Sequence, residues 1–381
     1  MDVAIIGGGI VGTSAAAFLA GAGARVVVYE REAIAAGASG RNSGVVQHPF
    51  DPALVPLYRE TVEIYRSLDD EALQVGFRLA ATPAGLLLVT PSIDLARRLA
   101  ADLGALHPML APEALDPEDV RRLEPAIAHG IAACLIGIGF PVVPSAPTYA
   151  MANLAERRGA AIRQGRSAVP AIDAGRCLGV SVDGRVQPAD AVIVAAGPWT
   201  PAVVDPTGVW RPIRRVWGVV VETLLGDPPR HVMEEAEMDV ALATDAATDP
   251  GDDGGGHGSS VGYSLVTAGG VSVVGSTFLE DEPDPAAWVE PILERGARFV
   301  PAIADAPIRE VRVCARPASL DGRPLIGAIP GIDGLFVCSG HGPWGITTGP
   351  ASARLVADLV LGRAADVPRD LRADRFGAVG V

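Results

Sequence analysis

Val3-Ala4-Ile5-Ile6-Gly7-Gly8-Gly9-Ile10-Val11-Gly12 lies at the head of the chain, and Val26-Val27-Val28-Tyr29-Glu30 follows shortly after. The first four residues read as a buried strand, the small residues 10–20 as a helix, and 26–29 as a second strand. Gly7, Gly9 and Gly12 are spaced G-x-G-x-x-G across the strand–helix junction, and Glu30 stands 18 positions after Gly12. Each part has a task. Gly7 permits the tight turn, Gly9 lets the backbone approach a pyrophosphate, and Gly12 lets the helix pack closely on the strand. The helix start offers free N–H groups and a positive dipole end to the phosphates. Glu30 is suited to accept hydrogen bonds from an adenosine ribose and would repel a 2′-phosphate, which argues against NADP.

The rest of the composition narrows the field. With 381 residues, two domains are expected, or one large domain carrying an inserted lobe. Hydrophobic residues at 49% against 20% charged allow a sizeable core. A net charge of −14 argues against nucleic acid and anionic membranes as partners, because both demand a basic face. The four cysteines, Cys134, Cys177, Cys314 and Cys338, form no C-x-x-C pair and read as reduced thiols, so a cytoplasmic location is expected. No signal peptide or transmembrane span is expected. No metal-ligand cluster, Ser/His/Asp arrangement or P-loop is evident, which sets aside metalloenzyme, hydrolase and kinase readings.

Along the chain, residues 35–46 form a small-residue loop running into a short strand, and Leu54, Leu57, Thr61, Ile64 and Leu68 mark an amphipathic helix. Residues 77–90 read as two strands around the Thr82-Pro83 turn, with helices near 92–104, 116–123 and 147–158. Short β runs fill 160–194, strands are expected at 212–225, 261–267 and 271–278, and a helix at 285–300. Residues 249–260, rich in Gly and Asp, are expected to be a mobile hairpin loop. A strand at 335–338 leads to a last helix from about Thr348 to Leu361, with Thr347 or Thr348 as its cap and Pro350 in its first turn. The expected architecture is α/β: a discontinuous dinucleotide-binding domain with an inserted, mostly antiparallel β-sheet domain.

Three segments together resemble the flavoprotein family of D-amino-acid oxidase, glycine oxidase and sarcosine oxidase. They are Gly7-x-Gly9-x-x-Gly12…Glu30, the strand ending Val194-Ala195-Ala196-Gly197-Pro198-Trp199, and the C-terminal block. That block runs Ala315-Arg316-Pro317…Asp321-Gly322-Arg323-Pro324, then Ser339-Gly340-His341-Gly342-Pro343-Trp344-Gly345-Ile346. The resemblance extends over essentially the whole chain. It implies a glutathione-reductase-like Rossmann domain binding FAD (1–78, 140–211 and 310–381) and a substrate domain (79–139 and 212–309). The flavin ring is expected at their boundary. Cofactor contacts are expected from Gly7, Gly9, Ile10, Val11, Gly12, Glu30, Arg31 and Ser39, and from Arg41, Asn42, Ser43, Gly44 and Val45. Further contacts are expected from Val169, Ala196, Gly197, Trp199, Cys314 and Arg316, and from Gly340, His341, Gly342, Trp344, Gly345, Ile346 and Thr347.

The implied activity is oxidation of a C–N bond in an amino acid or secondary amine by hydride transfer to flavin N5. The imine formed hydrolyses, and oxygen or a quinone takes the electrons. Residues 40–46 also resemble L-2-hydroxyglutarate dehydrogenases, so a 2-hydroxy-acid dehydrogenase is the alternative, as is a flavin-carrying subunit of a larger complex. An alcohol would need a placed base such as His48 or His341, whereas an unprotonated amine need not. Arg316 is the expected carboxylate clamp, because a guanidinium holds a carboxylate through two parallel hydrogen bonds. The competing reading pairs it with Asp321 or Glu310. Cys314 stands seven residues before Asp321, the spacing of the flavin-linked cysteine in monomeric sarcosine oxidases. Glycine-oxidase-like members lack that bond, and non-covalent FAD is the favoured expectation. Trp217, Tyr263 and Trp344 are candidate pocket walls, and the backbone N–H groups of Gly345 and Ile346 are candidates for the flavin N1–C2=O edge.

Overall fold

A computed structural model describes residues 1–69, 75–236, 261–364 and 366–377; the hairpin loop expected at 249–260 lies outside them. The apolar runs near the N-terminus and at Ala191–Val194 become the centre of a six-stranded sheet. Its order is Leu325–Ala328, Leu335–Ser339, Ala191–Val194, Asp2–Ile6, Arg25–Glu30, Ala161–Gln164. All neighbours are parallel except the edge strand Leu325–Ala328. Parallel strands covered on both faces need apolar residues at every position, which explains why these runs do not alternate. One face carries Ile10–Gly21, packed against Ala146–Arg157 and Gly345–Val360. Ala15, Ala16 and Ala17 are fully buried there, and their small side chains let three helices approach closely. The other face is covered by the antiparallel trio Ala168–Asp173, Arg176–Val182 and Arg185–Pro188.

The glycine turn has no slack. Gly7 has φ +116°, and a Cβ on Gly12 would lie 2.0 Å from the Gly7 carbonyl oxygen.

An eight-stranded sheet forms the second layer. Its order is Ile308–Ser319, Ile213–Thr223, Val271–Thr277, Val261–Ala268, Val232–Glu235, Leu86–Thr90, Ala132–Ile136, Glu113–Leu115. It is antiparallel except where Val232–Glu235 meets Leu86–Thr90. Here the period of two operates: Val219, Val221, Tyr263 and Leu265 enter a core under the Val289–Ala297 helix. Gly218, Val220, Ser264 and Val266 face the opposite way, into a cavity.

Two expectations change. Residues 77–90 hold one strand, Leu86–Thr90, rather than two. Pro83 cannot donate to a ladder, and Val75, Phe77 and Leu79 instead bury their side chains against the helices of the first layer. The last helix begins at Gly345, so neither Thr347 nor Thr348 caps it and Pro350 is internal. Thr348 Oγ1 donates to the Trp344 carbonyl, 2.9 Å away, within the first turn. Pro350 has no N–H for the Ile346 carbonyl one turn earlier. The hydroxyl of the fully buried Tyr65 donates to that oxygen instead, at 2.7 Å.

Candidate active site

Between the two sheets lies a cavity of about 650 Å³ that runs from the Gly7–Gly9 turn to the face of the eight-stranded sheet. Every residue singled out above as a cofactor or catalytic candidate lines it, except Gly12, Gly340 and His48. Gly12 packs on Gly7, and Gly340 lies behind the wall against Leu325 and Ser319. His48 is buried away from the cavity, edge-on to Tyr58 and His107 at centroid distances of 5.1 and 5.5 Å. Burial, then the neighbouring His107, lowers its pKa to about 4, so it is a neutral packing residue at pH 7.

At the glycine end the contacts are mostly backbone. Gly9 precedes the first helical residue, and Ser39 Oγ accepts from the Ile10 N–H at 3.0 Å. Glu30 Oε2 accepts from Gly8 N–H at 2.7 Å and Oε1 from Glu32 N–H at 2.8 Å. A carboxylate has about four acceptor sites, so both oxygens keep capacity for a ribose diol. The Arg31 guanidinium stacks on Trp199, 4.0 Å from the ring centroid. Asn42 spends its amide on the loop itself, donating to the Ala38 and Ser39 carbonyls and accepting from Gly44 N–H.

At the sheet end the contacts are side chains. Arg316 donates to the Thr277 carbonyl and to Ser276 Oγ, both at 2.9 Å, and lies over the Phe278 ring. A Cβ at Gly218 would come within 2.6 Å of its guanidinium, so the group rests flat on the glycine backbone. Asp321 is committed to Arg375, and no carboxylate among the described residues lies within ion-pair reach of Arg316. Burial pulls the Arg316 pKa below its usual value without neutralising it.

Cys314 lines the same wall. Burial raises its thiol pKa, against the pull of Arg316, Arg41 and Arg312, and the thiol contacts the Arg41 carbonyl at 3.8 Å. His341 is 2% exposed, and burial lowers its pKa to about 4. Its Nε2 has no hydrogen-bond partner among the described residues. Trp217 and Trp344 line the cavity, but Tyr263 does not: it stacks on Phe299 in the core below, at 4.6 Å.

Gln47, Gly218, Val220, Glu234, Ser264, Val266, Ser276 and Phe278 also line the cavity and were not singled out as site residues from sequence. The alternation at 212–225 places Gly218 and Val220 on one face. An acid directly after Val232-Met233 was the available signal for Glu234.

The cavity fits FAD on its own features: a glycine cradle, an acid at the end of the second strand, a long boundary between two sheets, and a buried imidazole nitrogen awaiting a partner. Among the described residues no metal-binding cluster occurs and no helix is long and apolar enough to cross a membrane. Residues 2–359 match the family DAO, FAD dependent oxidoreductase. An uncharacterized oxidoreductase of Bacillus subtilis, YurR, is 27% identical over 94% of both chains. Glycine oxidase of Pseudomonas aeruginosa is 25% identical over 95% of both. The crystal structure of iminodiacetate oxidase from Chelativorans sp. BNC1 superposes with TM-score 0.79 at 26% identity, covering 97% of this chain and 98% of the other. With its cradle, its two-sheet cavity and a match spanning nearly its whole length, the chain belongs to the DAO family of FAD-dependent oxidoreductases.

Proposed function

We propose that this enzyme oxidises the C–N bond of an amino acid or secondary amine that carries a carboxylate. Arg316 is the observation that carries the reading: a cation on the cavity wall, held by two neutral acceptors, with no acid of the described chain to balance it. A bidentate carboxylate ligand supplies the missing charge and fixes the plane of the substrate. When bound, FAD accepts a hydride, and with it two electrons, from the substrate carbon. The substrate nitrogen enters without its extra proton, contributes its lone pair as the C–H bond breaks, and becomes a protonated imine that water hydrolyses.

The alternative, a 2-hydroxy acid, needs a base for the hydroxyl proton. His48 lies off the cavity, and His341, with a pKa near 4, is a weak proton acceptor for an alcohol. Both features favour the amine. His341 Nε2 is suited instead to a hydrogen bond with the cofactor or substrate. Trp344, Gly345, Ile346 and Thr347 bring the start of the last helix to the cavity, where its positive end would stabilise negative charge on a bound flavin. The remaining lining candidates hold the cofactor from the glycine turn to the sheet, with Gly12 supporting the turn and Gly340 shaping the strand exit behind the wall. The buried, protonated Cys314 thiol supports FAD held without a covalent bond.

The division into 1–78, 140–211 and 310–381 against 79–139 and 212–309 is supported by the two large sheets except at its last boundary, which falls inside Ile308–Ser319, an edge strand of the eight-stranded sheet. Oxygen or a quinone would serve as the electron acceptor, and the four free cysteines suit the cytoplasm. The test is anaerobic mixing of the yellow holoenzyme with amines, amino acids and 2-hydroxy acids. Amino acids or secondary amines should bleach the flavin. Bleaching by hydroxy acids alone overturns the reading.

A further inference from the structure

The cavity wall carries a second charge that the reaction above does not use. Glu234 is 9% exposed and lines the cavity from the middle of the eight-stranded sheet. Gln47 Nε2 donates to both of its oxygens at 3.3 Å, and the Gln47 N–H donates to Thr347 Oγ1 at 3.2 Å. Those bonds fix the orientation of the Gln47 amide, since a flipped amide would set its oxygen against a carboxylate. Gln47 Oε1, in a side chain 3% exposed, then has no partner among the described residues. The Glu234 carboxylate lines the cavity, and a carboxylate has about four acceptor sites, so it can accept from a ligand as well as from the fixed Gln47 amide.

Register places this pair relative to Arg316. Glu234 pairs with Ser264, Ser264 with Gly275, and Gly275 with Val220, on the strand whose Gly218 lies under the Arg316 guanidinium. The two strands are three spacings apart, about 14 Å across the sheet at the usual interstrand distance. An α-nitrogen is only two bonds from its carboxylate carbon and cannot bridge that span. A side chain of three or four methylenes ending in a cation can, with Trp217 and Phe278 lining the cavity on the Arg316 side.

We infer that Glu234 and Gln47 form a subsite for a distal cation, so the substrates are amino acids whose side chains end in an ammonium or guanidinium group. This rests on Arg316 holding the carboxylate as proposed above. The test uses the wild-type holoenzyme and the flavin absorbance shift on ligand binding. 5-Aminopentanoate should bind about 10- to 100-fold more tightly than pentanoate, with glutarate weaker than both, the range expected for a charged hydrogen bond. Glu234→Gln should bring the ratio of 5-aminopentanoate to pentanoate affinity close to one. If that variant loses its flavin, the wild-type ratio decides alone. Equal wild-type binding of 5-aminopentanoate and pentanoate overturns the subsite.

Anaerobic reduction by both enantiomers of lysine and of norleucine separates this claim from its parent. Norleucine reducing the flavin as readily as lysine removes the distal subsite and leaves amine oxidation standing. Failure of every amino acid and secondary amine to bleach the flavin removes both.

Discussion

At the glycine end of the cavity the chain offers mainly backbone N–H groups and one carboxylate held by two of them; at the sheet end it presents side chains from five strands. The first construction is intolerant: its geometry is set by atoms that cannot change rotamer, and Gly7 and Gly12 touch each other. The second is adjustable, because each strand residue on the cavity face can be exchanged without altering the ladder. On the function proposed above, cofactor identity belongs to the rigid end and substrate identity to the variable one.

That contrast can be broken by mutation. Gly12→Val at the rigid end forces a Cβ to 2.0 Å from a carbonyl oxygen. We expect no yellow protein at all, checked by flavin absorbance of the purified chain. At the other end, Arg316→Ala should leave flavin content near wild type while raising the substrate dissociation constant roughly 100- to 1,000-fold, the size of losing one partner of a buried charge pair. Titrating anaerobic flavin reduction against substrate reads it. Equal flavin loss from both variants would erase the distinction between the ends.

Smaller effects sharpen it. His48 is neutral and buried, with a pKa lowered from 6.5 to about 4, so the unfolded chain takes up its proton first as the medium acidifies. Its contribution is intact above pH 6.5 and is lost as the pH falls from there toward 4, by up to roughly 3 kcal/mol. Denaturant unfolding of wild type and His48→Phe over that window should show the shallower slope in the variant. Tyr65→Phe strips the Ile346 carbonyl of its donor and should cost about 1–3 kcal/mol in the same assay. Smallest of all, Cys314→Ser should not change the release of flavin, which appears in the supernatant after acid precipitation of wild type and variant alike.

The same contrast explains what the sequence disclosed. The glycine triplet, Glu30 and Arg316 are legible because a fixed spacing or a recognisable block carries them. The helix at Gly345 begins earlier than Pro350 suggested, since a hydroxyl from another helix replaces the missing N–H, and no local pattern encodes that exchange. His48 looked exposed to chemistry next to the 40–46 loop, yet the ring turns toward Tyr58 and His107. Gln47 and Glu234 escaped because they lie 187 residues apart and meet only in the tertiary fold: the strand Val232–Glu235 slots between Leu86–Thr90 and Val261–Ala268, while Gln47 follows a short strand outside that sheet.

The bare backbone at position 218 has a stereochemical consequence. A planar fork pressed onto it accepts a planar acid group only in its own plane, which fixes the direction of the bond to the neighbouring carbon but leaves rotation about it free. A second anchor further along the substrate would stop that rotation, and the hydrogen on that carbon would then point toward the redox partner in one mirror-image form and away from it in the other. Handedness, on this account, takes two anchors, one of them seated on a side chain that is not there.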